Sequence, residues 1–281
     1  MRRFWMVAGL VTAALLAGSA TGLARGHRSP GHKIQHVVWI VMENQNYSSI
    51  VSSGSAPYIN RLANTYGLAT HYSAISHPSL PNYIALTSGS VQGISDDSDP
   101  SSHRLHVPSI FSQLRGGASR SLEQGMPSHC DQGSSGEYAV RHNPEAYYTN
   151  LGSDCSKYDV PFGSAPNLSA RFTFVTPNLI DDMHDGTIAD GDRFLKTYVP
   201  ALMATPQYRA GSTAIFITWD ENASSSGNQV PCIVISPYTH RVKDRTPYTH
   251  YSLLRTTEQL LGLPFIGNAA SAHSMVGKFG F

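Results

Sequence analysis

Several features that mark whole classes of protein are missing from this sequence. Charged residues make up only 14% of its 281 residues, and the formal net charge is +1. Because nothing in the sequence forms a basic stripe, nucleic-acid binding has no electrostatic basis. No internal repeat is evident, and metal binding by cysteine is not expected because the sequence has no CxxC pair and no Cys/His cluster. Beyond the N-terminal region, no segment is apolar enough to cross a membrane.

The N-terminal region has the pattern of a secretory signal peptide. A positively charged start and an apolar run over residues 4–17 are followed by small residues up to Ala24. This order predicts a signal peptide over residues 1–24 and a loose polar leader over residues 25–35. The alternative is a transmembrane anchor, but the run is shorter than the roughly 20 residues that span a bilayer. We therefore expect a secreted protein with no stable membrane anchor.

The three cysteines have different surroundings. Cys130 and Cys155 lie in a Gly/Ser-rich part of the chain, and in an exported protein a disulfide between them would close that segment. Cys232 lies in the apolar run 230–236, where a buried free thiol is expected.

Apolar runs and helical patterns alternate along the chain. Near-continuous apolar runs predict buried strands at residues 36–42, 172–175, 214–217 and 233–235. Helices are expected at residues 55–67, 192–203 and 251–261. This alternation predicts an α/β domain over residues 36–281 with a mainly parallel central sheet.

The segment over residues 93–167 is different, since it is rich in Gly, Ser, Asp and Tyr and has weak periodicity. We interpret it as a loop-rich insertion near the mouth of the site. Its candidate substrate contacts are Arg141, His142, Tyr147 and Tyr148, with solvated loop residues as the alternative.

Acidic residues follow three of the predicted strands. Glu43 and Asn44 come after the first, Asp220 and Glu221 follow the run that ends at Thr218, and Asp182 with its neighbours follows residues 172–175. In a parallel α/β sheet, ligands bind at the carboxyl ends of the strands. Apposed carboxylates repel one another unless protons or a cation compensate them. A hard divalent metal is therefore expected, and ordinary solvated loop acids are the alternative.

A serine precedes a short predicted helix. Pro81 near its start and Gly89 at its end mark the helix, with Ser79 just before it. The free N–H groups of a helix N-terminus suit a phosphate, but Ser79 could also be only an N-cap. His250 lies at the start of another predicted helix, where a structural role is the alternative to a catalytic one.

Taken together, five segments in order resemble the bacterial phosphoesterase family of secreted acid phosphatases and phospholipases C, within the alkaline phosphatase superfamily. They are VMENQNY at 41–47, SHPSLPNYIALTSG at 76–89, PNLIDDMHDGTIADGD at 177–192, ITWDEN at 217–222 and HYSLLRTTEQLLGLP at 250–264. The resemblance implies an alkaline-phosphatase-like three-layer sandwich. The short length and SAPYIN at 55–60 are most similar to small mycobacterial-type members, which implies phosphatidylinositol 3-phosphate as a candidate substrate.

The resemblance also implies roles for individual residues. Ser79 matches the position of the nucleophile, and His77, His184 and His250 match active-site histidines. Asn82 and Asp182 are expected to bind substrate. Glu43, Asn44, Asp220 and Glu221 match the metal site, although the last pair is Asp-Glu rather than the Asp-His of two-zinc relatives.

These observations predict a secreted acid phosphatase that hydrolyses phosphate monoesters. Ser79 would attack phosphorus, a divalent cation would lower the pKa of its hydroxyl, and a histidine would protonate the leaving group. The alternatives are a phospholipase C-like phosphodiesterase and a secreted binding protein that keeps the fold without catalysis.

Overall fold

The structure is a computed structural model that describes residues 1, 34–163, 166–223 and 227–281. The predicted signal peptide and most of the predicted leader lie outside the described residues. The last two residues of that leader are part of the folded domain: Ile34 is buried in the core, and the Gln35 N–H donates to the carbonyl of Ser212 at 2.9 Å. The leader prediction is therefore wrong at this end, because Ile34 is apolar and packs inside.

An eight-stranded sheet forms the centre of the domain, and a separate two-stranded sheet pairs β10 with β3. The strands are β1 (His36–Met42), β2 (Gly67–Ala69), β3 (Tyr72–Ser73), β4 (Ser119–Glu123), β5 (Asp159–Pro161), β6 (Phe172–Thr176), β7 (Thr213–Trp219), β8 (Cys232–Ile235), β9 (Val242–Asp244) and β10 (Tyr248–Thr249). The order in the large sheet is β5-β4-β6-β1-β7-β8-β2-β9, in which only β8 runs antiparallel to its neighbours. The predicted mainly parallel sheet is confirmed.

Helices connect and cover these strands. They are α1 (Tyr47–Ile50), α2 (Pro57–Thr65), α3 (Ser79–Ser88), α4 (Ile110–Gln113), α5 (Asp154–Tyr158), α6 (Ile188–Met203), α7 (Pro206–Arg209), α8 (His250–Leu261) and α9 (Val276–Phe279), with 3₁₀ turns at Val140–His142, Pro144–Tyr147 and Gly267–Ala270. Helix α6 begins four residues before its predicted start because Thr187 and Asp190 form a capping box. Helix α2 ends two residues before Gly67, which instead begins β2.

The strand β1 places helices on both faces of the sheet. Successive side chains of a strand point to opposite faces. The Trp39 indole N–H donates to Thr257 of α8 at 2.9 Å, so this helix covers one face. Met42 is three residues further along β1, so its side chain points to the opposite face, where it packs against Gly191 of α6. Helix α6 therefore covers the other face of the sheet. Helix α2 packs on α6, and the domain is a three-layer sandwich.

The segment over residues 93–167 has more regular structure than its sequence predicts. It supplies β4 and β5, which extend the parallel sheet beyond β6. Strand β4 has the sequence Ser-Arg-Ser-Leu-Glu, which has too few apolar residues for a buried-strand pattern. A disulfide joins Cys130 to Cys155 in this segment, and Cys232 is the expected buried free thiol.

No helix in the described part of the chain is long and apolar enough to cross a membrane.

Candidate active site

The ends of three adjacent strands bring the predicted acidic residues together. Strand β1 lies between β6 and β7, and its last residue pairs with the last residue of β7. The Asp220 N–H donates to the carbonyl of Met42 at 2.9 Å, and the Glu43 N–H donates to the carbonyl of Asp182 at 2.8 Å. The backbones of Glu43, Asp182 and Asp220 are therefore tied to one another at the carboxyl edge of the sheet, where parallel sheets bind ligands.

Helix α3 presents a serine and a tyrosine to this edge. Ser79 and Tyr83 are four residues apart and share one face of the helix. The Ser79 hydroxyl donates to Glu43 Oε2 at 3.1 Å, and the Tyr83 hydroxyl donates to Glu43 Oε1 at 2.5 Å. The N-cap of the helix is Pro78, so Ser79 is its first residue. The alternative that Ser79 is only an N-cap is wrong, because its hydroxyl bonds to a carboxylate from another element.

The carboxylates of this edge are buried and close enough to repel one another. Burial, together with Asp220 and Asp182, raises the pKa of Glu43 well above its usual value. Burial and Glu221 do the same to the pKa of Asp220. Burial raises the pKa of Asp182 to about 8, and burial with Asp97 raises that of Glu221 to about 8. Four ionised acids cannot share this volume at neutral pH without positive charge.

A histidine from the 93–167 segment lies in the middle of this cluster. His142 is buried, with Nε2 at 3.4 Å from Glu43 Oε1 and Nδ1 at 3.4 Å from Asp182 Oδ2. Its ring stacks on that of Tyr83 with centroids 5.4 Å apart. Burial lowers the pKa of His142, and Arg141 and His184 lower it further. The interpretation of His142, Tyr147 and Tyr148 as solvated loop residues is wrong, because all three side chains are buried.

His184 lies at the more open side of the site. Its Nε2 is 3.1 Å from Arg141 Nη2, and its Nδ1 is 2.6 Å from Asp185 Oδ1. An arginine can only donate, so Nε2 accepts and the proton of the neutral ring is on Nδ1. Met183 has a φ of 82°, which is unusual for a residue with a side chain, and it joins Asp182 to His184 in a tight turn.

The segment before α3 supplies His77 and is held by Asn82. His77 Nδ1 lies 3.1 Å from Glu221 Oε2, and about a third of its side chain is exposed. Asn82 is buried, and its oxygen accepts from the N–H groups of Ile75 and Ser76 at 3.0 and 2.9 Å. Its amide nitrogen donates to backbone carbonyls and to Glu221. The geometry does not support direct substrate binding by Asn82, since its polar atoms are already used to shape the loop.

His250 lies behind the site. Its Nε2 is 2.6 Å from the backbone carbonyl of Asp220, and its Nδ1 is 3.0 Å from the Tyr72 hydroxyl. A carbonyl only accepts, so Nε2 carries the proton and Nδ1 accepts from Tyr72. Burial lowers the pKa of His250 to about 4. Because both ring nitrogens are engaged and the side chain is buried, the geometry does not support the predicted role of His250 as a proton donor; it positions Asp220.

The donor atoms fit a hard divalent cation. Asp220 Oδ2, Asp182 Oδ2 and His142 Nε2 are buried and have no aligned hydrogen-bond partner within the part of the chain that the structure describes. Carboxylate oxygens and imidazole nitrogens are suitable ligands for such a metal. The predicted ligands Glu43, Asp220 and Glu221 lie in this cluster, whereas Asn44 contributes its N–H to Asp220 Oδ1 at 3.2 Å.

A second, overlapping set of donors was not expected from the sequence. Glu43, His142 and His184 offer ligand atoms that lie within 4.8 Å of one another. Two features of the sequence point to this region: an Arg-His pair and the aromatic residues that follow it, in an otherwise polar segment. Tyr83 could have been found from the sequence more simply, because it follows Ser79 by four residues in a predicted helix and so lies on the same helix face.

Comparisons with known proteins show the family to which the chain belongs. The model of the phosphoesterase family matches residues 50–264. A Mycobacterium tuberculosis protein named phosphatidylinositol-3-phosphatase is 32% identical over 256 residues, covering 87% of this chain and 83% of its own length. An Aspergillus fumigatus acid phosphatase is 24% identical over 251 residues, and the match covers 82% of this chain but 55% of the fungal protein.

Solved structures establish the same fold at low sequence identity. A Vibrio parahaemolyticus protein of the alkaline phosphatase superfamily aligns with a TM-score of 0.59 and 12% identity, covering 87% of this chain and 71% of the other. The family match and the identity to the mycobacterial relative extend over most of the described domain. The chain therefore belongs to the phosphoesterase family, on a fold of the alkaline phosphatase superfamily.

Proposed function

We propose that this protein is a metal-dependent phosphomonoesterase in which Ser79 is the nucleophile. The observation that carries the proposal is the hydrogen bond from the Ser79 hydroxyl to Glu43, made within a buried cluster of four acids at the carboxyl edge of the sheet. A hydroxyl is a weak nucleophile until a base or a cation lowers its pKa. Glu43 and Asp220 both lie near this hydroxyl and can hold its proton or a cation.

A divalent cation held by Glu43, Asp220 and Glu221, with the Asn44 N–H fixing the Asp220 carboxylate, would supply the positive charge that lowers the pKa of the Ser79 hydroxyl and offsets negative charge on the phosphate. The protein's own groups complete the site. Tyr83 fixes the Glu43 carboxylate from the side opposite Ser79, since each hydroxyl bonds to a different oxygen of the carboxylate. Asn82 fixes Glu221 and the loop before the nucleophile.

Among the predicted histidines, His77 is best placed to protonate the leaving alcohol. Its ring is partly open to solvent, and its Nδ1 lies 3.1 Å from Glu221 Oε2, which can hold the ring in place. His184 is a poorer candidate because its Nε2 accepts from the Arg141 guanidinium at 3.1 Å and its Nδ1 contacts Asp185, so both ring nitrogens are engaged. His184 instead orients Arg141 at the open side of the site.

The names of two relatives support a proposal for the substrate class. The mycobacterial relative is named for phosphatidylinositol 3-phosphate and the fungal one for acid phosphatase activity. We therefore propose phosphate monoesters as substrates, with phosphatidylinositol 3-phosphate as the first lipid to test.

Export is supported by the signal-peptide pattern and by the disulfide between Cys130 and Cys155, because disulfides persist in oxidising compartments.

Substitution of Ser79 tests the proposal against p-nitrophenyl phosphate and bis-(p-nitrophenyl) phosphate. Ser79→Ala should lower kcat at least about a thousand-fold, as removal of a nucleophile does. The matched control is Ser88→Ala, because Ser88 is an equally buried serine at the other end of α3, and it should keep wild-type turnover. Chelation should abolish activity, and a divalent cation should restore it.

Three results would contradict parts of this assignment. Near-wild-type turnover by folded Ser79→Ala protein removes Ser79 as nucleophile. Faster hydrolysis of the diester than of the monoester makes the protein a phosphodiesterase. No turnover of a phosphate-ester panel with metals added indicates a binding protein of the same fold.

A further inference from the structure

A carboxylate from outside the predicted site lies at its mouth. Asp97 belongs to the acidic segment over residues 95–99 that follows α3. Its Oδ1 accepts a hydrogen bond from the Leu80 N–H at 2.9 Å, and its Oδ2 lies 3.9 Å from Arg141 Nε. Leu80 directly follows the proposed nucleophile in the first turn of α3. The carboxylate therefore bridges two groups of positive character beside Ser79.

Those two groups are ones that proteins use to bind phosphate oxygens. Free N–H groups in the first turn of a helix and arginine guanidinium groups are both suited to oxyanions. Arg141 is tied to the site through His184, and its positive charge acts on both His142 and Asp182. An anion that bridged the Leu80 N–H and Arg141 would lie at the entrance to the acidic cluster.

The presence of Asp97 at this position is electrostatically unfavourable for the rest of the site. Its negative charge adds to the acidic cluster and is one cause of the raised pKa of Glu221. A carboxylate that only stabilised the loop would be better placed farther from four other acids. Its contacts are instead those of a ligand, because both of its oxygens are directed to groups of the proposed active site.

We propose that Asp97 occupies the position of a phosphate oxygen, so that a phosphate monoester displaces it and takes over the Leu80 N–H and Arg141. The inference rests on the proposed function, because it places the phosphate beside Ser79. A monoester dianion brings one more negative charge to the Leu80 N–H and Arg141 than the carboxylate does, whereas a diester monoanion brings only the same charge. The exchange therefore favours monoesters over diesters.

The loop can release this carboxylate without moving its backbone. On one side of Asp97, Asp96 is held by His103 at 2.6 Å, and on the other the Tyr147 hydroxyl donates to the carbonyl of Ser98 at 3.1 Å. These contacts fix the segment independently of the Asp97 side chain. Rotation of that one side chain is sufficient to free the position.

Removal of the Asp97 charge tests the exchange. Asp97→Asn should lower the Kd for inorganic phosphate, measured by titration calorimetry, and the KM for p-nitrophenyl phosphate by about tenfold, because a charge-assisted hydrogen bond no longer has to be broken. Asp99→Asn removes the same charge from an exposed position on the same loop and should change either value less than about twofold. Arg141→Gln should raise both values and cancel the gain in the double variant.

The outcomes separate this inference from the proposed function. If Asp97→Asn binds phosphate no more tightly than the wild type does, or more weakly, the exchange is wrong even where turnover is normal. A lowered melting temperature without tighter binding would assign Asp97 a purely structural role and also overturn it. Tighter phosphate binding in Asp97→Asn by a protein that turns over no ester would support the exchange while the proposed function fails.

Discussion

A second group of buried acids lies on β4, β5 and the 3₁₀ turn between them, and it predicts how the stability of the protein depends on pH. Glu123 ends β4, Asp159 begins β5, and Glu145 lies in the 3₁₀ turn between them. Asp159 pairs with Ser121 across the two strands, and the Ser121 hydroxyl donates to Glu145 at 2.7 Å. All three acids are buried, and both oxygens of Glu123 lack an aligned hydrogen-bond partner among the described residues.

The three carboxyls hold protons at a pH where exposed acids have lost them. Burial raises the pKa of Asp159 to about 7, although the Asn143 amide, which donates to it at 2.8 Å, lowers it. Burial and Asp159 raise the pKa values of Glu123 and Glu145 well above their usual range. The unfolded chain releases the Asp159 proton near pH 4, and the folded chain releases it near pH 7.

The sign of the effect follows from the proton count. Between about pH 4 and pH 7 the folded state binds more protons than the unfolded state, so stability falls as pH rises through this window. The difference between the two pKa values corresponds to a loss on the order of 2–4 kcal/mol from Asp159, given that the three acids share protons. Below pH 4 this loss is absent, and above pH 7 it is complete.

Asp159→Asn removes the ionisation and keeps an oxygen that can accept from Asn143. The free energy of unfolding of the variant minus that of the wild type should increase by on the order of 2–4 kcal/mol from pH 4 to pH 8, because the variant lacks the ionisation that destabilises the wild type. Urea unfolding of both proteins at unit steps of pH, without reductant, measures this gain. Asp99→Asn is the control, because that exposed acid should give a difference independent of pH. A difference that stays constant with pH in Asp159→Asn would refute the claim that Asp159 is protonated in the folded state.

Two further predictions concern contacts that support the site and its neighbouring segment. His250→Phe should destabilise the protein by on the order of 2–4 kcal/mol in urea unfolding, because it leaves the Tyr72 hydroxyl and the Asp220 carbonyl buried without their partner. The pH profile of its residual activity should keep its shape, whereas loss of the alkaline limb would make His250 the acid. Replacement of both Cys130 and Cys155 by serine should cost about 3 kcal/mol, since the disulfide closes a 25-residue separation, and guanidinium unfolding without reductant measures it. A loss below about 1 kcal/mol would mean that packing already constrains this segment.

The fold class and the edge of the sheet that carries the site could be predicted from sequence for a simple physical reason. Strands buried on both faces, such as β1 and β7, have nearly continuous apolar sequences that few other elements share. Polar residues that directly follow them, such as Glu43 and Asp220, must then lie at the carboxyl edge. Strands β4 and β5 escaped prediction because β4 is largely polar and the edge strand β5 has three residues.

The amino-acid sequence by itself therefore determined the central strands and main helices, the acids at the strand ends and the family resemblance of the motifs. Only the tertiary structure decided which side chains of distant segments touch. His142 contacts Glu43, Asp97 contacts Leu80, and His250 contacts the Asp220 backbone carbonyl. Such contacts depend on how helices and loops pack on the sheet, and sequence spacing carries no information about the distance between residues that are far apart in the chain.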